Sequence, residues 1–208
     1  MRFVTRATVL VFIGLFVGSA WGQTPVPIGE LLQTLRGGGY VIVVRHGGTH
    51  ADQADTDPLN HDNVAKQRQL NDQGRADARA VGEVLRRAGI PIGKSYSSRF
   101  QRAVETARLI GGKDPQATLD VTEGGLVVSP NENNRRAQAF RALAATPPDP
   151  GTNTLIVSHK PNIIDAFGKD WFEIREGEAS IFKPEGGKYR LVARVQMEDW
   201  PKLAVTAN

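Results

Sequence analysis

Two short runs of β-branched and aliphatic residues, each leading into a histidine, constrain the fold of this 208-residue chain more than any other feature. The first run is YVIVV at residues 40–44, which is followed by Arg45 and His46. The second is TLIV at residues 154–157, which one serine separates from His159. Uninterrupted apolar runs of this length are typical of strands that are buried on both faces of a parallel sheet. Because ligands bind beyond the carboxyl ends of such strands, we expect both histidines at one functional edge of the sheet.

Helical patterns alternate with these and other predicted strands. Apolar stripes and terminal signals predict helices at 28–35, from Asn71 or Asp72 to Gly89, at 99–110, at 134–145 and at 161–167. In the second of these helices, the expected buried stripe is Ala76, Ala80, Val81, Val84 and Leu85. Further strands are predicted at 94–97, 117–121, 179–182 and 189–195, the last two as a hairpin across Gly186-Gly187. The alternation predicts one three-layer α/β/α domain with a mostly parallel sheet, and the length suits a single domain.

Residues 1–22 have the pattern of a secretory signal peptide. Two arginines precede an uncharged apolar run from Ala7 to Ala20, and Gly22 then supplies a small residue at the cleavage position. A transmembrane anchor is the alternative, but the run is shorter than the ~20 residues that span a bilayer. The sequence therefore predicts a mature domain of residues 23–208 that is periplasmic or secreted, without stable membrane insertion after cleavage.

Charge and composition exclude several classes of function. Removal of the first 22 residues takes away two arginines and no acid, so the formal charge falls from +4 to 24 − 22 = +2. No basic stripe with interleaved aromatic residues remains, and we predict no binding to nucleic acid. The chain has no cysteine, which excludes disulfides, thiolate catalysis and cysteine-ligated metal sites.

Arginine and histidine side chains are expected to meet where the predicted strands end. Arg102 lies one turn into the helix that follows the predicted strand at 94–97, and Arg45 lies beside His46. Guanidinium groups offer paired donors that suit phosphate oxygens, and their charges disfavour the protonated form of a nearby imidazole. The pattern predicts that the two arginines and His159 hold a phosphoryl group while a neutral His46 attacks it in line.

Three segments, VRHGGT, SSRFQRAVETA and VSHKPN in this order, resemble the histidine phosphatase (phosphoglycerate mutase-like) superfamily. The segment LNDQGRADARAVGEVL between the first two is similar to the Leu-x-x-x-Gly helix of that family, and the resemblance runs from about residue 39 to residue 168. It implies a phosphoglycerate mutase-like fold, a phosphohistidine intermediate on His46 and no metal or other cofactor. The phosphoryl contacts that it implies come from Arg45, Arg102 and His159. Thr49 occupies a position that is often threonine or serine in the family, where it contacts the phosphate or shapes the loop.

The chain departs from the family pattern at three positions. Gly48 replaces a common acidic residue, and Asp52 stands where many members have an asparagine that contacts phosphate. Lys160 follows the second histidine, where the acid phosphatase and phytase branch has an aspartate proton donor. The resemblance is therefore to the mutase-like branch, whose donor is a glutamate between the second arginine and the second histidine. Glu123 is the first candidate for this donor, and Glu132 is the second.

The polar segment Gly48–Gln69 is predicted to be a long loop that faces the substrate. Its acidic and histidine side chains raise the alternative of a divalent metal site: His50, His61, Asp52, Asp55, Asp57 and Asp62. Their irregular spacing favours a solvated loop instead, and we predict no metal.

The function predicted from the sequence is an exported, metal-independent phosphatase. It would act on a small phosphorylated substrate, such as a sugar phosphate or an envelope phosphoester. One alternative is a phosphate- or phosphoglycan-binding protein without turnover. Asp52 and the two candidates for the proton donor are the reasons to consider it. The other is a phosphomutase, which export disfavours because it separates the chain from cytosolic intermediates.

Overall fold

A six-stranded sheet flanked by helices organises the chain in the computed structural model, which describes residues 28–124 and 126–206. The strands are β1 (Val41–Arg45), β2 (Ile92–Ser97), β3 (Gln116–Ala117), β4 (Asn153–Ser158), β5 (Ala179–Glu185) and β6 (Lys188–Val195). The helices are α1 (Ile28–Arg36), α2 (Asp72–Arg87), α3 (Gln101–Gly111), α4 (Pro130–Ala145), α5 (Lys160–Phe167) and α6 (Trp200–Thr206). The strand order is β3-β2-β4-β1-β5-β6. The first four of these strands are parallel to one another, and β5 runs antiparallel to both of its neighbours, β1 and β6. The predicted α/β fold with a mostly parallel sheet is confirmed.

The two apolar runs form neighbouring strands near the centre of the sheet. β1 and β4 pair in parallel with Arg45 beside Ser158, so both strands end at the same edge. Side chains alternate between the faces of a strand. Accordingly Ile42 belongs to one hydrophobic cluster with α1, α2, α3 and α6, whereas Val43 belongs to the other with α4 and α5. Burial on both faces is what fixes the position of the segments that follow the strands.

Two predicted elements differ from the structure in type or by four residues. The strand predicted at 117–121 is wrong, because β3 ends at Ala117 and a 3-10 turn at Leu119–Val121 follows it. The helix predicted at 134–145 begins at Pro130 instead. The side chain of Ser129 accepts a hydrogen bond from the amide of Glu132, and proline suits the first helical position.

The buried face of α2 is rotated from the predicted stripe. Ala76 is exposed and Ala80 is only half-buried, whereas Ala78 is fully buried. The buried positions of this helix are Gly74, Ala78, Val81, Gly82, Val84 and Leu85. The glycines belong to this face because they allow close approach of neighbouring backbone, which hydrophobicity does not indicate.

Residues 1–22, predicted to be a signal peptide, lie outside the described residues. Within 28–124 and 126–206, no helix has both the length and the apolar character needed to cross a membrane. The predicted hairpin of β5 and β6 is confirmed. After it, α6 buries Trp200 against the first hydrophobic cluster, an element that the sequence reasoning did not identify.

Candidate active site

His46 follows β1 directly, and only 2% of its surface is exposed. Its Nδ1 atom lies 2.9 Å from the carbonyl oxygen of Gly47. A carbonyl oxygen only accepts hydrogen bonds, so Nδ1 carries the proton and Nε2 keeps the free lone pair. Burial, followed by the charge of Arg102, holds the pKa of His46 well below its ordinary value. The imidazole is therefore neutral, as expected, but burial contributes more than the neighbouring charges.

The segment after His46 is held against the start of α2 by backbone contact. A Cβ atom on Gly74 would lie 2.2 Å from the carbonyl oxygen of Gly48, so a side chain there has no room. Asn71 caps the helix, since its Oδ1 accepts a hydrogen bond from the amide of Gly74 at 2.7 Å. Its Nδ2 donates to the carbonyl oxygen of Thr49 at 3.0 Å. The Leu-x-x-x-Gly pattern is thus the means by which α2 fixes this segment.

His159 follows β4, and its ring centroid lies 5.1 Å from that of His46. Its Nε2 atom lies 2.7 Å from the hydroxyl of Ser98, which also accepts a hydrogen bond from the amide of Phe100. The hydroxyl can donate to Nε2, which leaves Nδ1 as the protonated nitrogen. This Nδ1 is buried without a hydrogen-bond partner in the described residues, 3.5 Å from Oε1 of Glu123. Burial is the main reason that the pKa of His159 is well below its ordinary value.

Arg102 is the second residue of α3, and its side chain is fully buried. Its Nη1 donates to Oδ1 of Asp55 at 2.9 Å, and its Nη2 donates to Oε1 of Glu123 at 2.5 Å. The guanidinium carbon lies 4.4 Å from the centroid of the Phe100 ring. A buried charge needs such partners to offset its loss of hydration. The Nε atom, in contrast, has no partner in the described residues.

Arg45 ends β1 and is held from the other side of the site. Its Nη1 donates to the carbonyl oxygen of Ile174 at 2.8 Å, and its Nη2 lies 3.6 Å from Oε1 of Glu176. The same carboxylate accepts hydrogen bonds from the hydroxyl of Thr49 at 2.8 Å and from its amide at 3.3 Å. Thr49 therefore shapes the loop, which is one of the two roles expected for it. The Nε atom of Arg45 is buried without a partner in the described residues.

Of the two candidate proton donors, only Glu123 lies beside the histidines and arginines. Burial raises the pKa of its carboxyl group, against the opposing charge of Arg102, so this carboxyl group keeps its proton to higher pH than an ordinary glutamate does. Glu132 lies in the first turn of α4, where hydrogen bonds from Arg135 and Arg136 lower its pKa to about 2. Such a group is ionised at neutral pH and cannot donate a proton, so the structure favours the first candidate.

Three residues of the site were not identified from the sequence: Asp55, Ser98 and Glu176. Asp55 was grouped with the acidic residues of the solvated loop. Ser98 belongs to the segment SSRFQRAVETA, but only Arg102 of that segment was assigned a role, and Glu176 belongs to no recognisable motif. Asp52, whose charge would have been unfavourable toward a phosphate, is exposed. Among the residues that the structure describes, no group of three or more histidine, aspartate or glutamate side chains could hold a metal ion.

Comparisons with known proteins identify the family that the chain resembles. The family model described as "Histidine phosphatase superfamily (branch 1)" matches residues 41–124. A curated relative, the mitochondrial serine/threonine-protein phosphatase Pgam5 of Drosophila virilis, is 37% identical over 71 residues. That alignment covers 34% of this chain and 22% of the relative, so the chain spans only about a fifth of the relative's length. The resemblance to the superfamily is confirmed over residues 41–124.

Solved structures share the fold over most of the chain. The protein histidine phosphatase SixA, in complex with tungstate, has a TM-score of 0.53 at 18% identity and covers 77% of this chain and 98% of its own. The phosphoserine phosphatase of Entamoeba histolytica, in complex with 3-phosphoglyceric acid, has a TM-score of 0.52 at 17% identity. It covers 76% of this chain and 98% of its own. At these identities the likeness shows the fold.

Proposed function

We propose that this chain, whose residues 41–124 match the model of the histidine phosphatase superfamily (branch 1), hydrolyses phosphomonoesters through a phosphohistidine on His46. One observation carries the proposal: three residues that lie close enough to the neutral imidazole to contact it or to lower its pKa each have a buried N–H group without a partner in the described residues. These groups are Nε of Arg45, Nε of Arg102 and Nδ1 of His159. Each unpaired buried donor costs roughly 1–3 kcal/mol. The oxygens of a phosphoryl group would satisfy all three with charge-assisted hydrogen bonds.

In the first half-reaction, the lone pair on Nε2 of His46 attacks phosphorus, and the bond from phosphorus to the ester oxygen breaks. The two arginines stabilise the negative charge on the phosphoryl oxygens. Glu123 gives its proton to the departing oxygen, so an alcohol leaves. The hydrogen bond from Nδ1 to the carbonyl oxygen of Gly47 stabilises the positive charge of the phosphorylated imidazole.

In the second half-reaction, water attacks the phosphorus of the phosphohistidine. The carboxylate of Glu123, which has lost its proton, takes one from this water. The bond from phosphorus to Nε2 of His46 breaks, its electron pair returns to the nitrogen, and inorganic phosphate leaves. The arginines and His159 supply the stabilising charges and donors in both steps, so the proposed reaction is independent of metal.

The substrate belongs to the same proposal. The related phosphoserine phosphatase was solved with 3-phosphoglyceric acid, which supports a small phosphorylated molecule as the substrate class. Export through residues 1–22, predicted from the sequence, would restrict this class to phosphoesters outside the cytosol, such as sugar phosphates or envelope phosphoesters.

Turnover of p-nitrophenyl phosphate in EDTA tests the reaction. The purified protein is expected to release p-nitrophenol, and His46→Ala to reduce kcat by at least roughly 10³-fold. His50→Ala is the matched control, because this nearby histidine takes part in hydrogen bonds of the described residues through its backbone amide and carbonyl, which the substitution keeps. Brief incubation with a radiolabelled phosphoester should trap label that is stable to base and released by acid. Phosphate binding by folded protein without any turnover, on aryl and alkyl esters alike, would favour the alternative of a phosphate-binding protein.

A further inference from the structure

The loop between β1 and α2 is fastened to the beginning of α3 by several side chains. Among the contacts that cross this boundary are three: Asp55 to Arg102, Gln67 to the amide of Gln101 at 2.7 Å, and the ring of His61 to that of Phe100 with centroids 5.0 Å apart. Of the three, the contact of Asp55 is the one that reaches a guanidinium of the site. The loop thus has a direct connection to a group expected to bind phosphate.

Two carboxyl groups share the guanidinium of Arg102, one on each terminal nitrogen. Oδ1 of Asp55 accepts from Nη1 and Oε1 of Glu123 accepts from Nη2. A single negative charge is enough to compensate one guanidinium. If Asp55 supplies that charge, Glu123 can accept its hydrogen bond through a carbonyl oxygen while it keeps a proton. Asp55 can therefore compensate the charge of Arg102 while Glu123 keeps a proton.

The same oxygen of Asp55 also fixes the loop itself. Oδ1 accepts a hydrogen bond from the backbone amide of Arg68 at 2.9 Å, the distance at which it contacts Arg102. The charge of Arg68 contributes to the low pKa of both His46 and His159, so this loop residue lies within electrostatic range of the site. One carboxylate oxygen thus connects the loop backbone to the buried guanidinium.

We propose that Asp55 is a positioning residue, which holds the guanidinium of Arg102 from the loop side and leaves Glu123 to act as the proton donor. This inference rests on the proposed function, since it assigns Asp55 a part in the same reaction. Asp55 contacts Arg102 and not the reacting atoms, so its effect on the reaction passes through Arg102 and Glu123.

The charge of Asp55 also affects the pH dependence of the reaction. Glu123 is faced by Arg102 from α3, by Asp55 and Arg68 from the loop, and by His159 from the segment after β4. Burial and then Asp55 raise the pKa of Glu123, whereas Arg102 and Arg68 lower it. Removal of the Asp55 charge should therefore lower this pKa. The alkaline limb of kcat on an alkyl phosphate is expected to move to lower pH.

Asp55→Asn tests the proposal, because the amide keeps the shape of the side chain and loses its charge. We expect kcat on an alkyl phosphate to fall roughly 10- to 100-fold, the range for a displaced reacting geometry. KM should not rise, since one negative charge beside the phosphate-binding groups has been removed. Asp57→Asn is the matched control: it removes the same charge from the same loop, and its carboxylate accepts from Asn63 within that loop.

The outcomes separate this inference from the proposed function. A shifted alkaline limb with lowered kcat in Asp55→Asn, but not in Asp57→Asn, supports it; equal behaviour of the two variants overturns it. If the unaltered protein hydrolyses no ester, the proposed function fails and the contact is tested without turnover. Asp55→Ala should then speed hydrogen exchange at the amide of Arg68 and change the affinity for inorganic phosphate. If neither changes, Asp55 does not hold the site.

Discussion

Gly74→Ala should reduce activity more than any change that leaves every polar side chain of the site in place. The new Cβ atom would lie 2.2 Å from the carbonyl oxygen of Gly48 and 2.6 Å from its amide nitrogen. Both atoms belong to the backbone that follows His46, so no side-chain rotation relieves the contact. The start of α2 and the segment after β1 must separate.

The size of the effect follows from the distances. Real Cβ atoms essentially never lie within 3.0 Å of such neighbours, so the separation is at least 3.0 − 2.2 = 0.8 Å. Overpacking of a core costs about 1–3 kcal/mol, and the better helix propensity of alanine offsets up to about 1 kcal/mol of this. We expect a net loss of about 1–2 kcal/mol in the free energy of unfolding. Because a 1 Å misplacement of reacting groups can cost ~10²-fold, kcat/KM should fall roughly 10- to 100-fold.

Gly82→Ala is the control that separates stability from positioning. It lies in the same helix, and its Cβ atom would meet the carbonyl oxygen of Leu109 at 2.4 Å. Gly82 is eight residues, or about 12 Å along the helix axis, from Gly74. Denaturant unfolding should show similar losses of stability in the two variants, with kcat/KM reduced only in Gly74→Ala. Equal kinetic losses at equal stability would refute the idea that α2 positions His46.

Three further predictions concern the charged groups of the site. Glu123→Gln should slow the hydrolysis of alkyl phosphates at least roughly 10-fold more than that of aryl phosphates in initial-rate assays, because poor leaving groups need the proton. Glu132→Gln is the control. Equal slowing of both ester types would exclude Glu123 as the donor. For alkyl phosphates, kcat should peak at acidic pH, because the lowered pKa of His46 keeps it neutral below its ordinary value of 6.5 and the raised pKa of Glu123 keeps it protonated above 4.5; a flat profile from acidic to neutral pH would contradict this assignment. Glu176→Gln removes a negative charge beside Arg45 and should lower the inhibition constant of inorganic phosphate roughly 3- to 10-fold, with exposed Glu173→Gln as the control in a competition assay.

The central part of the fold was predictable because local pattern and tertiary environment agree there. The apolar runs at 40–44 and 154–157 are buried on both faces, so hydrophobicity alone identifies β1 and β4. The stripe of α2 was misplaced because Gly74 and Gly82 are buried for close backbone approach, which depends on neighbours far along the chain. The predicted strand at 117–121 failed because residues 119–121 form a 3-10 turn, which the side chain of Thr118 caps.

The residues of the site were likewise predictable only where local sequence pattern determines their position. Arg45 ends a buried strand, His46 and His159 each follow one, and Arg102 lies near the start of a helix. The ends of the elements were therefore enough to bring the four together. Residues that support them come from segments without periodicity. Ser98, for example, reaches His159 only because β2 and β4 are neighbours in the sheet.

Asp55 shows why a loop of this kind resists interpretation from sequence. It shares its loop with Asp52, Asp57 and Asp62, and nothing in their spacing distinguishes one carboxylate from another. The difference arises from folding, which brings Asp55 to a guanidinium that has lost its hydration. A buried arginine selects its partners by distance in space, and its demand for negative charge makes the nearest loop carboxylate part of the site. Among the acidic residues of a solvated loop, those with a functional role are therefore found by asking which buried cation each one compensates.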